Sequence, residues 1–578
     1  MKVATFIANF LKTQEISHVF ELSGGMITHL LDAIAEVKGI DIITMHHEQG
    51  ASFAADGMAR ISNKPGVALA TSGPGATNLL TGIASCYFDS TPGLFITGQV
   101  NINEQRGDRN IRQLGFQETD IVSMAIPVTK KAYSVTSAND IPKIFAEAYE
   151  LAISGRPGPV LIDVPMDIQR AEIEPGEIKA IQRKKTVSTK LDNAFFSQLK
   201  TDLEKSKKPL ILAGRGIRAA AAEKLFQTFV EETQIPHVAS LMGVDLLPYE
   251  HPLRVGLIGS YGNRWGNMAI GHSDLLIVIG SRLDIRQTGA NTKDFKGDRI
   301  IYHIDCEEAE INNRVLGCTK VVADVEDFLT EATAYFSKNK ISNSTYATWL
   351  KEIQTLKQQW PDTNELKDKV KGINPNAFIH QLSKASKGST SFLADVGSHQ
   401  MWAAQSLELQ SHQTFITSGG MGAMGFALPA SIGVCFANKK APVVCIAGDG
   451  GFQLNIQELQ TIVRNKLPIK MIVLNNRCLG MIRQFQDSYF DGRYQSTYWG
   501  YNPPDFEAVA KAYTINSYTV NNENEIEEGL KKCWDNPNEP FLLQVMIDPY
   551  ANAYPKIAFG HPITEMEPFV KPIGIEST

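Results

Sequence analysis

The sequence predicts an α/β protein of three doubly wound parallel-sheet domains, and three observations carry that reading. Short apolar runs of strand length recur through all 578 residues, among them VALAT (67–71), DLLIVIG (274–280) and IKMIVLNN (469–476). Helical patterns separate these runs, and strand–helix alternation implies a parallel sheet with helices on both faces. Two polar stretches, 174–190 and 338 to about 371, interrupt the alternation and read as solvent-exposed linkers.

In chain order, the first domain (1–173) opens with MKVATFIANFLKTQ. This segment lacks a long apolar core and a cleavage site, so it reads as an amphipathic helix rather than a signal peptide. The strands LFITG (94–98) and VLIDVP (160–165) follow. The second domain (191–337) has PLILAG (209–214), DLLIVIG and RIIYHID (299–305), and the bridge after it carries the helical segment YATWLKEIQTLKQQW. The third (372–578, with a C-terminal tail) has SFLA (391–394), PVVCIAGDG (442–450) and IKMIVLNN.

Composition narrows the function. With 43% hydrophobic residues the chain can bury large cores, and 56 Lys+Arg against 62 Asp+Glu leave a net charge of −6. That balance argues against nucleic acid or an anionic membrane as the main partner. No stretch approaches the roughly 18 apolar residues of a membrane span. The seven cysteines are scattered without CxxC or zinc spacing, which reads as free thiols in a reducing cytoplasm.

Chemistry concentrates in the third domain. The strand PVVCIAG runs directly into Asp449, Gly450 and Gly451, and IKMIVLNN ends in Asn475–Asn476, so 27 residues separate Asp449 from Asn476. Ligands of open α/β sheets sit at the carboxyl ends of strands. Asp449, the Asn476 side chain and a backbone carbonyl near Cys478 can converge there on Mg²⁺, which prefers oxygen ligands. By themselves GDG and NN also fit two turns. Two further segments suit a diphosphate: SGGMGAMGFALP (418–429), containing Gly422 and Met424, opens a helix, and DVGSHQMW (395–402) supplies Gly397, Ser398 and His399.

This pattern resembles the thiamine diphosphate enzymes, whose signature is a GDG followed at such a spacing by NN. The resemblance implies Mg²⁺ held by Asp449, Asn476 and the carbonyl at Cys478, with Met424 under the cofactor and Met481 near it. It also implies a glutamate activating the pyrimidine ring. Glu48 stands where that family places it, after the strand IITM and ahead of a helix rich in small residues, with Pro74 and Asn78 of TSGPGATN beside the same ring. Because Glu48 and Met424 lie in different domains, the resemblance implies an active site at a subunit interface of a homodimer or homotetramer.

Within that family the chain is most similar to the catalytic subunits of acetolactate (acetohydroxyacid) synthase, through HEQGASFAADGMAR, SGPGATN, LGFQETDIV, ISGRPGPVLIDVP, GSRLDIRQTG and GMIRQFQ. The resemblance implies a carboligase that decarboxylates pyruvate and passes the acetyl unit to a second carbonyl compound. Gln117 is then an active-site amide, and Gly25, Phe116, Lys130, Arg483 and Phe485 belong to the substrate pocket. Lys130 stands beside Lys131 and also fits a solvated edge. The middle domain resembles the family's FAD-binding domain, where FAD does no net redox chemistry. The expected contacts are Gly214, Gly216, Ser240, Leu241, Gly259, Arg282, Asp284, Arg286, Asp305 and Asp324. A pyruvate oxidase-type oxidoreductase would use the same cofactors, but GFQE and the DIR segment count against it.

Some segments depart from the synthase pattern. Phe485 replaces a tryptophan, Ser260–Tyr261 replace a pocket methionine, and the loop 101–117 is longer and carries Arg106, Arg109 and Arg112. In these respects the chain is also similar to the synthase-like carboligases of branched-chain sugar (yersiniose) biosynthesis, whose acceptor is a CDP-linked 4-keto-deoxysugar. The same three arginines also fit a solvated basic loop.

Overall fold

The computed structural model describes residues 1–185, 189–342, 344–367 and 369–573. The segment 186–188 of the first linker and the last five residues of the tail lie outside that range.

The alternation of apolar runs and helices resolves into three six-stranded, wholly parallel sheets. Strand order in the first is Asp41–Thr44, His18–Leu22, Gly66–Ala70, Gly93–Gln99, Pro159–Pro165, Lys131–Ser134. The third repeats it: Thr414–Thr417, Ser391–Ala394, Val443–Gly448, Ile469–Asn475, Phe541–Met546, Asn516–Val520. The second runs Thr319–Val322, Ile300–Asp305, Leu275–Ile279, Pro209–Ala213, His237–Ala239, Arg254–Leu257. The central strands are buried along their whole length, as expected for sheets covered by helices on both faces. Helix Val3–Thr13 buries Val3, Phe6, Ile7, Phe10 and Leu11, the one-faced spacing of an amphipathic helix.

One close helix crossing ties the first domain to the third. Helix Glu48–Ser62 and helix Ala427–Ala437 are buried along most of their length. A methyl group added at Gly57 would stand 2.3 Å from the Ala430 carbonyl oxygen, and one at Gly433 would stand 1.8 Å from that of Ala54. Only bare glycine backbone allows this approach. Beside the crossing, buried Arg60 bonds Asp56 and Asp89, and Asp89 accepts from the Gly419 and Gly420 N–H groups.

The bridges differ from two exposed linkers. Residues 174–185 form neither helix nor strand, yet Gln14 bonds the backbone of Lys179 and Ile181, and Arg183 pairs with Asp324 at 2.6 Å. In the second bridge, helix Thr345–Gln359 packs on the middle domain by burying Trp349, whose indole donates to the Pro209 carbonyl at 3.1 Å. Apolar residues within a polar-looking stretch draw it onto the nearest sheet.

Candidate active site

In the third sheet the chain winds to opposite sides from the adjacent strands Ser391–Ala394 and Val443–Gly448, so the loops after them diverge and leave a crevice. Segment 395–399 enters from one strand, 449–453 from the other, and 476–480 from the neighbouring strand Ile469–Asn475. A methyl at Gly397 or Gly448 would meet the His399 ring at 2.7 or 2.8 Å, so both glycines give that imidazole its place. Burial holds His399 neutral, its pKa pushed down to about 3. A methyl at Gly480 would stand 2.6 Å from the Asn476 amide nitrogen and 3.1 Å from the Ser398 hydroxyl, which brings those two side chains together.

Three buried polar atoms here have no partner among the described residues: Asp449 Oδ2, Ser398 Oγ and His399 Nε2. Each unsatisfied buried group costs about 1–3 kcal/mol, so such a concentration marks a place for a ligand. Burial pushes the Asp449 carboxyl up to about 7, against the Gly450 and Arg477 N–H groups and the Tyr501 hydroxyl, which favour the anion. A cation would add to that second side. Cys478 gives its N–H to Asn476 Oδ1 at 3.3 Å and its thiol to the Pro549 carbonyl at 3.5 Å. A carboxylate, an amide and a backbone carbonyl are oxygen donors of the kind Mg²⁺ prefers, and the unpartnered hydroxyl and imidazole suit phosphate oxygens. Asp395 accepts from Gly425 N at 2.9 Å and so holds the glycine-rich loop over the strand end. Gly422 and Gly425 lie at φ of +65° and +82°, and the methyl of Met424, between them, stands 3.4 Å from a Cβ position at Gly450.

The first sheet has the same switch between His18–Leu22 and Gly66–Ala70. Glu48 begins its helix there, almost fully buried, and accepts the Asn78 amide on Oε2 at 2.9 Å. Pro74 starts the short helix Pro74–Asn78, and a methyl at Gly75 would stand 3.1 Å from Glu48 Oε1. Gln117 adopts a left-handed φ of 65°, with its Cβ 3.0 Å from a Cβ position at Gly73. Gly25, with open space around it, lies beside Met26, whose N–H donates to Thr71 Oγ1 at 3.3 Å. Gly25, Glu48, Pro74, Asn78 and Gln117 thus gather at one end of one sheet.

A cleft, open at its mouth, is lined by Gly216, Ser240, Leu241, Arg282, Asp284, Arg286 and Asp305 of the middle domain and by Arg156 of the first. Burial raises the Asp305 carboxyl to about 6. Gly214, Gly259 and Asp324 are not among its lining residues. Methyls at the two glycines would strike the Gly280 and Arg286 carbonyls at 2.2 and 2.3 Å, so these positions serve close backbone packing. Asp324 is buried against Arg183. Arg183 and Arg215, both lining the cleft, have buried Nε atoms without partners, which suits a dinucleotide diphosphate.

Two expected pocket residues are committed elsewhere. The Lys130 ammonium donates to the Leu151, Ser154 and Arg156 carbonyls at 2.6, 2.7 and 2.8 Å, closing the end of helix Ile141–Ile153. All three protons are used, and burial lowers its pKa to about 8. Arg483 is buried against Asp487 at 2.7 Å, Asn552 and the rings of Tyr494 and Tyr550. Phe485 packs against Tyr489 with ring centroids 4.6 Å apart, beside half-buried Met481, whereas Phe116 is 81% exposed. Asp395, Tyr501 and Arg215 were not anticipated. Asp395, directly after SFLA, carried the same strand-end signal as Asp449.

The chain matches family models for all three domains of a thiamine pyrophosphate enzyme: N-terminal TPP binding (1–124), central (197–332) and C-terminal TPP binding (395–545). It is 37% identical to the acetolactate synthase large subunit of Lactococcus lactis, over 96% of this chain and 94% of that one. This chain belongs to the acetolactate synthase large-subunit family of thiamine pyrophosphate enzymes. The acetolactate synthase isozyme 2 large subunit of Escherichia coli is 35% identical over 98% of this chain and 99% of its own. A probable acetolactate synthase large subunit of Methanocaldococcus jannaschii is 36% identical over 100% and 96%. The family thus spans all three sheets, and both crevices fall within its two TPP-binding domains.

Proposed function

We propose that this chain catalyses decarboxylation of pyruvate and transfer of the acetyl unit to a second carbonyl compound, as a cytoplasmic acetolactate synthase. The observation that carries the reading is the pair of strand-end crevices, one holding Glu48 bonded to Asn78 and the other holding the unpartnered Oδ2 of Asp449 beside Ser398 and His399. When bound, thiamine diphosphate supplies the electron sink for loss of CO₂ from a 2-ketoacid. Asp449, Asn476 and the Cys478 carbonyl would hold Mg²⁺, and Ser398 and His399 would bind diphosphate oxygens. With Asn78 on Oε2, Glu48 keeps Oε1 to take and return a proton at the pyrimidine ring. Met424 would support the cofactor from below, and Gln117 would orient the reacting carbonyl.

FAD fits the middle cleft, where Arg183, Arg215, Arg282 and Arg286 would meet its diphosphate and Asp305 its ribose. Exposed Met421, Met424, Ile482, Phe485 and Trp499 around the diphosphate crevice, together with Phe116, favour a homodimer or homotetramer that buries this surface at a shared active site. Incubation with pyruvate, thiamine diphosphate, Mg²⁺ and FAD should yield acetolactate, assayed as acetoin after acidification; a negligible yield rejects the reading. One observation favours a different acceptor. Among the described residues the side chains of Arg106 and Arg109 donate only to carbonyls of their own loop, which leaves both charges for an anionic carbonyl compound such as a nucleotide-linked 4-keto-deoxysugar. Offering that acceptor in competition with 2-ketobutyrate decides between them.

A further inference from the structure

The segment after GDG also reaches across to the first domain. Glu458, at the end of the turn Ile456–Glu458, is fully buried. Its carboxylate crosses to the first domain and accepts the His46 N–H at 3.1 Å, at the N-terminus of the 15-residue helix that begins with Glu48. Thr461 donates to its other oxygen at 2.8 Å, and a methyl at Gly50 would stand 2.6 Å from Oε1. Three residues earlier, buried Asn455 donates to Gln49 Oε1 at 3.1 Å and to the Gly425 carbonyl at 2.9 Å.

These contacts enclose Glu48 without touching its carboxyl group. Glu458 fixes the residue two before it and excludes a side chain two after it. Asn455 ties the residue after it to the residue after Met424. The helix dipole favours an anion at Glu458, whereas burial raises its pKa to about 7. Its hydrogen-bond donors are His46 of the first domain and Thr461 of the helix Leu459–Asn465 that follows it.

We propose that Glu458 and Asn455 are positioning residues that hold the helix N-terminus bearing Glu48, and through it the Glu48 carboxyl, from the third domain of their own chain. The proposal rests on the reading of Glu48 as the proton-handling carboxyl. A displacement of about 1 Å costs on the order of a hundredfold in rate. The experiment measures hydrogen–deuterium exchange at C2 of thiamine diphosphate bound to the Mg²⁺-loaded enzyme, by quench NMR, alongside cofactor affinity and melting temperature. Glu458→Ala should slow exchange at least about tenfold with cofactor affinity within about threefold, and Glu458→Gln, which keeps an acceptor for His46 N–H, should restore most of it. Asn455→Ala should slow exchange too, and it carries the test if Glu458→Ala does not fold. Wild-type exchange in the alanine variants, or a glutamine variant as slow as the alanine one, overturns the proposal. Glu48→Gln is the control: if it leaves exchange unchanged, the reading of Glu48 itself fails.

Discussion

The Asn78 amide donates to Glu48 Oε2 at 2.9 Å, so one oxygen of this buried carboxyl is fixed by a residue 30 positions later in the chain. Replacing Glu48 by Gln keeps the shape of the site and removes the acid. Turnover should fall by about two to four orders of magnitude with the melting temperature nearly unchanged. Asn78→Ala should give a smaller loss because the carboxyl remains and only its orientation relaxes. Steady-state decarboxylation of pyruvate measures both; near-normal rates in Glu48→Gln would reject the role of Glu48.

Asp449 sets a different expectation. With Oδ2 buried and unpartnered, Asp449→Ala relieves an unsatisfied acceptor in the protein alone and removes an anionic ligand from the loaded enzyme. The apo protein should be as stable as wild type or more so. Affinity for thiamine diphosphate in Mg²⁺ should drop by about tenfold to a hundredfold. Calorimetric titration and thermal melts without ligand read the two effects separately, and unchanged affinity would rule out a metal at this carboxylate.

Arg215 lines the middle cleft with a buried, unpartnered Nε, and burial together with nearby Arg60 draws its pKa down to about 10. Arg215→Met should leave the fold intact and reduce the flavin retained through purification, read as the ratio of flavin to protein absorbance. Flavin at wild-type occupancy would argue that the cleft binds its ligand without this arginine.

Lys130 should behave as a structural residue. Lys130→Met abandons three carbonyls at the end of helix Ile141–Ile153 and should destabilise the protein by about 1–3 kcal/mol. KM for pyruvate should not move. A raised KM without loss of stability would restore the substrate role that the family resemblance implied.

His380 lies between Asp362 at 3.0 Å and Glu408 at 2.9 Å, and these partners raise its pKa above the ordinary histidine value despite its burial. A folded-state pKa above the unfolded value gives stability that is complete below the unfolded pKa, about 6.5. That stability is lost as pH rises through the folded value. The melting temperature of wild type should therefore exceed that of His380→Gln most clearly near pH 6, and the gap should narrow by about pH 8. A gap independent of pH would show that the histidine is not charged there.

The fold class was legible because the central strands are apolar along their whole length and the helices between them keep a regular pattern. Edge strands such as Lys131–Ser134 and Thr319–Val322 are short and half-exposed, and no continuous apolar run announces them. The placement of the candidate site was legible where local chemistry is explicit, as at Asp449 at the end of a buried strand and Glu48 ahead of a helix of small residues. It was illegible where a side chain's partner lies far along the chain. Nothing near Lys130 says that the Ser154 carbonyl will accept its hydrogen bond, nor anything near Arg483 that Asn552 waits 69 residues on. A basic residue beside a catalytic motif reads the same in sequence whether it binds substrate or closes a helix.

The crossing of Gly57 over Ala430 and of Gly433 over Ala54 bears on how such a chain can evolve. The first and third domains share one strand order and look like interchangeable modules. Yet each presents a notch cut to the other's backbone, and a single methyl on either side would hold the pair apart. A first or third domain exchanged between relatives would therefore have to bring a glycine at its own notch, because what it meets across the crossing is backbone that no substitution in the partner removes.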